Sequence, residues 1–250
     1  MLKVSFIGAG NVATRMADGF TRAGAEVVQI CARSGHEPIA QLRPDDADLI
    51  VVSVSDDALP QVLTAVPSAG SRAVWVHTAG SVAMDVFPAA KFPRRGVIYP
   101  LQTLSKSYTE VDWRKVPLFV EGSSADVAAR ITEAAQLLSG VVRPLDSAHR
   151  RELHASAVLG CNLVMYLWSL AEGVMQRAGL DFELLRPLLE MTLERTKLLT
   201  PTEAMTGPAR RGDLSTIAKH VNSLPPDVAA TYQFLSQQIL KLYHPELCQE

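Results

Sequence analysis

The sequence has no surplus of positive charge: 24 Lys and Arg stand against 26 Asp and Glu over 250 residues, a formal net charge of −2. Such a chain has little with which to neutralise a phosphate backbone, so no nucleic-acid partner is expected. Cysteines are few. Cys31, Cys161 and Cys248 are odd in number, widely spaced and never at CxxC distance, which argues against a disulfide framework and a zinc site. There is no run of about 18 uninterrupted apolar residues, the usual mark of a transmembrane helix, so no membrane partner is expected. The apolar run at the start, MLKVSFIGAG, is short and broken by glycine, unlike a signal peptide. Repeats and low-complexity segments are missing too. What is present is ordinary globular composition, 48% hydrophobic. The expectation is a soluble cytoplasmic protein of one large domain or two modest ones.

The first half alternates short Val- and Ile-rich runs with helical patterns. Strands are predicted at Lys3–Ile7, Val27–Cys31, Leu49–Ser53, Val74–His77, Gly96–Ile98, Leu118–Val120 and Val141–Pro144. Val12, Met16 and Phe20 recur every fourth residue, on one face of a helix ending near Gly24. Further helices are predicted over Asp57–Ala65 and Ser124–Leu138. Strands alternating with helices imply βαβ units and an α/β Rossmann architecture, doubly wound and mainly parallel. Beyond Asp146 no strand pattern remains, and an all-α region follows. The predicted division is 1–146 for nucleotide binding and 147–250 for a helical domain.

The sharpest motif is Gly8-Ala9-Gly10-Asn11-Val12-Ala13, which follows a strand and opens an amphipathic helix. This is the context a G-x-G-x-x-G/A fingerprint requires. Gly8 makes the tight turn, Gly10 admits a pyrophosphate close to the backbone, and Ala13 lets the helix sit near the sheet. The helix N-terminus, at Asn11 and Val12, offers free N–H groups to the phosphates. An NAD site would place an acid at the end of the second strand. Here Ala32-Arg33-Ser34 stands instead, so Arg33 and Ser34 are the expected ligands of a 2′-phosphate, and NADP is the expected cofactor. Two further turns lie at strand ends, Ser53-Val54-Ser55 and Thr78-Ala79-Gly80. They are candidates to line the ribose and nicotinamide. Asp56 or Asp57 as a helix cap, and His77 as a buried strand-end residue, are equally open readings.

These segments resemble the group of pyrroline-5-carboxylate reductase and deazaflavin–NADP oxidoreductase, within the 6-phosphogluconate-dehydrogenase-like superfamily. Three more segments bring the resemblance closer: His77-Thr78-Ala79-Gly80-Ser81, Tyr99-Pro100-Leu101-Gln102-Thr103, and Thr206-Gly207-Pro208-Ala209-Arg210-Arg211-Gly212-Asp213 with His220. Together they look like a bacterial family with a Rossmann-like domain and a C-terminal helical domain of unknown function. The resemblance implies an NADP-dependent oxidoreductase acting on a small carbonyl or imine. A 2-oxo acid such as ketopantoate is the leading specific substrate. It also implies a homodimer formed through the helical domain, and substrate-binding residues from that domain.

A ketone accepting a hydride needs a proton donor and groups that stabilise the developing oxyanion. The polar residues of the apolar helices are the candidates. His154 and Asn162, eight apart, share a helix face, and Lys197 is the cation. Each also has a plain structural reading, as a packing histidine, a hydrogen-bonded amide or a solvated lysine. Asp213 is expected to cap the helix that begins at Leu214. No metal is expected, since His149 and His154 are five apart. The competing function is a nucleotide-binding regulatory or interaction protein with no catalysis.

Overall fold

The computed structural model describes residues 1–70, 72–107 and 110–248. The strands are β1 (Lys3–Ile7), β2 (Glu26–Cys31), β3 (Leu49–Val52), β4 (Val74–His77), β5 (Arg95–Pro100), β6 (Leu118–Gly122) and β7 (Val142–Pro144). They form one sheet in the order β2-β1-β3-β4-β5-β6-β7. Every pairing is parallel except β5 with β6, which is antiparallel. Helices α1 (Asn11–Arg22), α2 (Leu59–Ala65) and α3 (Ala125–Leu138) accompany the strands. This is the Rossmann architecture expected from the alternation.

Strand periodicity assigns the two faces. Val4 and Phe6, Leu49 and Val51, Val74 and Val76 point to one core with Met16 and Phe20 of α1 and Ile131 and Leu138 of α3. The intervening Ile7, Ile50, Val52 and Trp75 point to the other, with Leu59 and Leu63 of α2 and with Phe87 and Phe92. Successive side chains of a strand face opposite ways, so a sheet covered on both faces needs apolar residues throughout. That is why these strands read as near-continuous Val and Ile.

Helix α4 (Ser147–Ala157) runs through a π-helical turn (Val158–Asn162) into α5 (Leu163–Arg177). The chain divides into two compact units, Met1–Gly160 and Cys161–Glu250, so α4 belongs with the sheet. Arg150 fixes it there. Its side chain is 1% exposed and donates to Glu121 (2.5 Å), to the Val82 carbonyl (2.5 Å) and to Ser147 Oγ (3.1 Å). Ser147 Oγ also donates to Glu121 (2.7 Å) and accepts from the Met84 N–H (3.0 Å). Buried charges persist only when paired in this way.

The second unit holds α5, α6 (Arg186–Arg195), α7 (Pro201–Ala204), α8 (Pro208–Arg211), α9 (Leu214–Ser223) and α10 (Pro226–Tyr243). Asp213 caps α9 as expected, accepting from the Thr216 N–H at 3.0 Å. A 3-10 turn (Phe182–Leu185) leads into α6, whose first turn contains Pro187. Among the described residues, only Ala209, Ile217, Ala229 and Leu240 are buried apolar residues here. Leu163, Met165, Leu188, Met191 and Leu193 are all about half exposed or more. The helix Ser147–Arg177, 31 residues with a mean hydropathy of 1.4 in its best window, is long and apolar enough to cross a membrane. The uninterrupted-run criterion missed it because His, Arg and Glu are scattered along it.

Candidate functional site

The chain winds from β1 outward to β2, then returns past β1 to β3. In open α/β sheets, ligands bind at the strands' carboxyl ends where the order reverses. A cavity of about 1000 Å³ lies there. Its wall includes Gly8, Ala9, Gly10, Asn11 and Val12 after β1, Ala32, Arg33, Ser34 and His36 after β2, and Ser53, Val54 and Ser55 after β3.

Gly8 and Gly10 are glycines for different reasons. Gly8 has φ +107°, and a Cβ built on it would lie 2.1 Å from the Ser53 carbonyl oxygen. The backbone itself therefore requires glycine there. Gly10 has φ −77° and ψ −171°, open to any residue, and a Cβ there would meet nothing within 4 Å. Neither backbone strain nor packing requires glycine at Gly10, so that position is open toward the cavity. Gly10 is the N-cap of α1. No side chain caps the helix and no acid occupies its first turn. The unsatisfied N–H groups and the positive dipole end thus face the cavity uncompensated, which suits a pyrophosphate.

Beyond β2, Arg33, Ser34 and His36 are exposed at the cavity wall. The one nearby acid, Glu37, is engaged elsewhere. It accepts from Arg43 (3.0 Å) and Gln29 (2.6 Å), and these hydrogen bonds hold its carboxyl below the usual range. Cys31 also lines the wall, but burial, followed by the charge of Glu37, pushes its thiol up, away from thiolate chemistry.

Other sequence-predicted residues sit behind this wall. Ala13 is buried in the core beneath α1, the packing role expected of it. Thr78 donates to Ser53 Oγ at 3.1 Å. The Ala79 N–H donates to His77 Nδ1 at 3.2 Å. His77 is fully buried and stacked on Phe87; burial, reinforced by the charge of Arg150, lowers it to about 3, so it is a neutral core residue. Gly80 is buried against the ring of His154.

The three proposed catalytic residues are placed differently. His154 is half-buried on α4, with Nδ1 3.0 Å from the Tyr99 hydroxyl. Asn162 is exposed on the π-helical turn, not packed in the interior of the helical unit. Lys197 is exposed and paired with Glu194 at 2.6 Å.

Two cavity features escaped the sequence reading. Lys106 lines the cavity. Its segment is held by Arg15, 7% exposed, which donates to the Ser105 and Lys106 carbonyls (2.9 and 2.6 Å), while the Lys106 N–H donates to Asn11 Oδ1 at 3.1 Å. His36 escaped because a lone exposed histidine in a loop carries no pattern.

The chain matches a domain of unknown function, DUF2520, over residues 116–239. The crystal structure of a Bacteroides fragilis protein, BF3122, provisionally described as an NADP oxidoreductase, superposes with a TM-score of 0.90 at 34% identity. The match covers 96% of this chain and 98% of that one. The chain belongs to the same family. No curated protein matches it. More distant structures share the fold. The reductive aminase of Aspergillus terreus, in complex with NADPH and ethyl levulinate, is 17% identical with a TM-score of 0.71, over 96% and 94% of the two chains. Plasmodium falciparum pyrroline carboxylate reductase with NADP bound is 12% identical with a TM-score of 0.61, over 96% and 97%.

Proposed function

We propose that the chain is an NADP-dependent oxidoreductase acting on a small carbonyl or imine substrate, with a 2-oxo acid such as ketopantoate the first candidate. The glycine turn is the observation that carries this reading, because it sets an uncapped helix N-terminus, with Gly10 leaving room beside it, in the wall of the cavity. The NADP-binding relatives and the family member described as an NADP oxidoreductase support it. In this reading the N–H groups at the start of α1 and the Lys106 ammonium hold the pyrophosphate. Arg33, Ser34 and His36 hold the 2′-phosphate. Ser53, Val54 and Ser55 line the path toward the nicotinamide, with Thr78, Ala79 and Gly80 supporting them from the next strand end. NADPH supplies the hydride. Asn162 and Lys197 are the helical unit's candidates for a substrate carboxylate. Freeing Lys197 from Glu194 costs little, because exposed ion pairs contribute about 0–1 kcal/mol.

A charge-assisted hydrogen bond contributes about 1.5–3 kcal/mol, which is roughly 10–100-fold in affinity. Arg33→Ala is therefore expected to weaken NADPH binding by about that factor and to leave NADH binding unchanged. Equal weakening of both nucleotides in a fluorescence titration would remove Arg33 from the 2′-phosphate site. A panel of 2-oxo acids and cyclic imines with NADPH tests turnover. Tight NADPH binding with no turnover would favour a nucleotide-binding regulatory protein.

The helical unit supports a second part of the proposal, a homodimer formed through it. Four buried apolar residues among those described are too few to hold a unit of some 90 residues together. The half-exposed Leu163, Met165, Leu188, Met191 and Leu193, together with an apolar groove of about 530 Å³ lined by Leu167, Val174 and Val228, make a surface that a second copy would bury. Glu172 and Arg177 on α5, and Glu190 and Glu194 on α6, would be costly in a bilayer core. Size-exclusion chromatography with light scattering is expected to give twice the 27.1 kDa chain mass. Met191→Glu is expected to disperse that species. A wild-type monomer that sediments with lipid vesicles would point to the membrane instead.

A further inference from the structure

We propose that Tyr99 is a positioning residue that fixes His154 as the proton donor of the reaction. The inference rests on the oxidoreductase reading and adds to it the group that protonates the substrate.

The sheet order places this pair. The 2′-phosphate candidates follow β2, the glycine turn follows β1, and Ser53 follows β3. An extended dinucleotide running along that edge reaches the end of β4 after three strand spacings, about 14 Å. Thr78-Ala79-Gly80 stands at that end, tied to the cavity wall by the hydrogen bond from Thr78 to Ser53. His154 packs directly on Gly80. A Cβ on Gly80 would lie 2.5 Å from the ring's Cγ and Nδ1, so only glycine leaves the imidazole its place. Tyr99, near the carboxyl end of β5 and 7% exposed, reaches the ring from the other strand, with its hydroxyl 3.0 Å from Nδ1 and the two rings edge to face. That contact engages Nδ1, and Nε2 has no hydrogen-bond partner among the described residues. His154 is half-buried, so solvent can restore a proton to it.

The step balances. As hydride adds to the substrate carbon, the π pair of the C=O or C=N bond moves onto the heteroatom. That atom takes the Nε2 proton of protonated His154, and the N–H bonding pair stays on Nε2. The Nδ1–H continues to donate to the Tyr99 oxygen, so the ring does not turn during transfer. Water then reprotonates Nε2.

The test is NMR of the full-length 15N-labelled protein titrated with NADP⁺, with the imidazole signal assigned by its loss in His154→Gln. The expected result is that both the Gly10 amide and the His154 ring signals move on saturation. In Tyr99→Phe, Gly10 is expected to respond as before, the His154 signal to lose its bound position, and Tm to fall by only about 2–4 °C, the loss of one hydrogen bond. Gly80→Ala, which displaces the ring and leaves Tyr99 intact, is expected to give the same loss at His154. Movement at Gly10 with none at His154 in the wild type would overturn the inference and leave the oxidoreductase reading standing. An unchanged His154 response in Tyr99→Phe would overturn the role of Tyr99. No movement at either residue would overturn the oxidoreductase reading and this inference with it.

Discussion

Gly10→Ala is expected to fold, at a cost of about 1 kcal/mol at the helix N-cap, and to lose NADPH. The backbone at Gly10 is extended and open to alanine, and the new methyl meets no protein atom. It takes up space in the cavity wall at the start of α1, where a pyrophosphate would accept hydrogen bonds from the free N–H groups. Two charge-assisted hydrogen bonds forfeited at about 1.5 kcal/mol each amount to about 100-fold in affinity. Gly8→Ala is expected to fail differently. There the methyl collides with the Ser53 carbonyl at 2.1 Å, and a positive φ costs alanine about 1–2 kcal/mol more. Its thermal midpoint should fall by several degrees before any ligand is added. Circular dichroism melts beside NADPH titrations separate the two. A Gly10→Ala protein that binds NADPH within a few-fold of wild type would mean that no phosphate approaches α1.

The second large effect is expected at the buried ion pair. Glu121→Gln removes the charge that compensates Arg150, whose guanidinium is 1% exposed. Breaking a buried pair from one side costs about 3–5 kcal/mol, enough to lower the melting midpoint by about 10 °C in a chain of this size. Replacing both partners, as Glu121→Leu with Arg150→Met, should cost far less, because no charge is then left without a partner. The consequence extends to the site. Arg150 and His154 are one turn apart on the same face of α4, so the anchor that holds the helix to the sheet also sets the ring against Gly80. A Glu121→Gln protein melting within about a degree of wild type would show that Arg150 is not compensated by this carboxylate.

These two predictions differ in how far the sequence foretold them. The glycine turn is local: six consecutive residues between a strand and a helix carry both its geometry and its chemistry, so it was legible, and the structure places it in the cavity wall. The strands were legible for the same reason, with Lys3–Ile7 and Val74–His77 found at their predicted ends. Arg150 was not, because Arg150-Arg151-Glu152 reads as a solvated run, and only the carboxylate 29 residues earlier explains its burial. The Tyr99–His154 contact joins residues 55 apart, and Lys106 is brought to the cavity by Arg15 from 91 residues away. No periodicity encodes such pairs. The change of pattern near Asp146 marked where strands cease, but the compact units divide at Gly160, because α4 is bound to the sheet through a polar network that an apolar stripe does not reveal.

The most direct test of the account is a parallel titration of the wild-type protein with NADPH and NADH, followed by nucleotide fluorescence. The predicted result is saturable NADPH binding at least about tenfold tighter than NADH, the margin of one charge-assisted contact to the 2′-phosphate. Binding of neither nucleotide at high micromolar concentration would contradict it, and the cavity at the carboxyl ends of β1 and β3 would then need a different ligand.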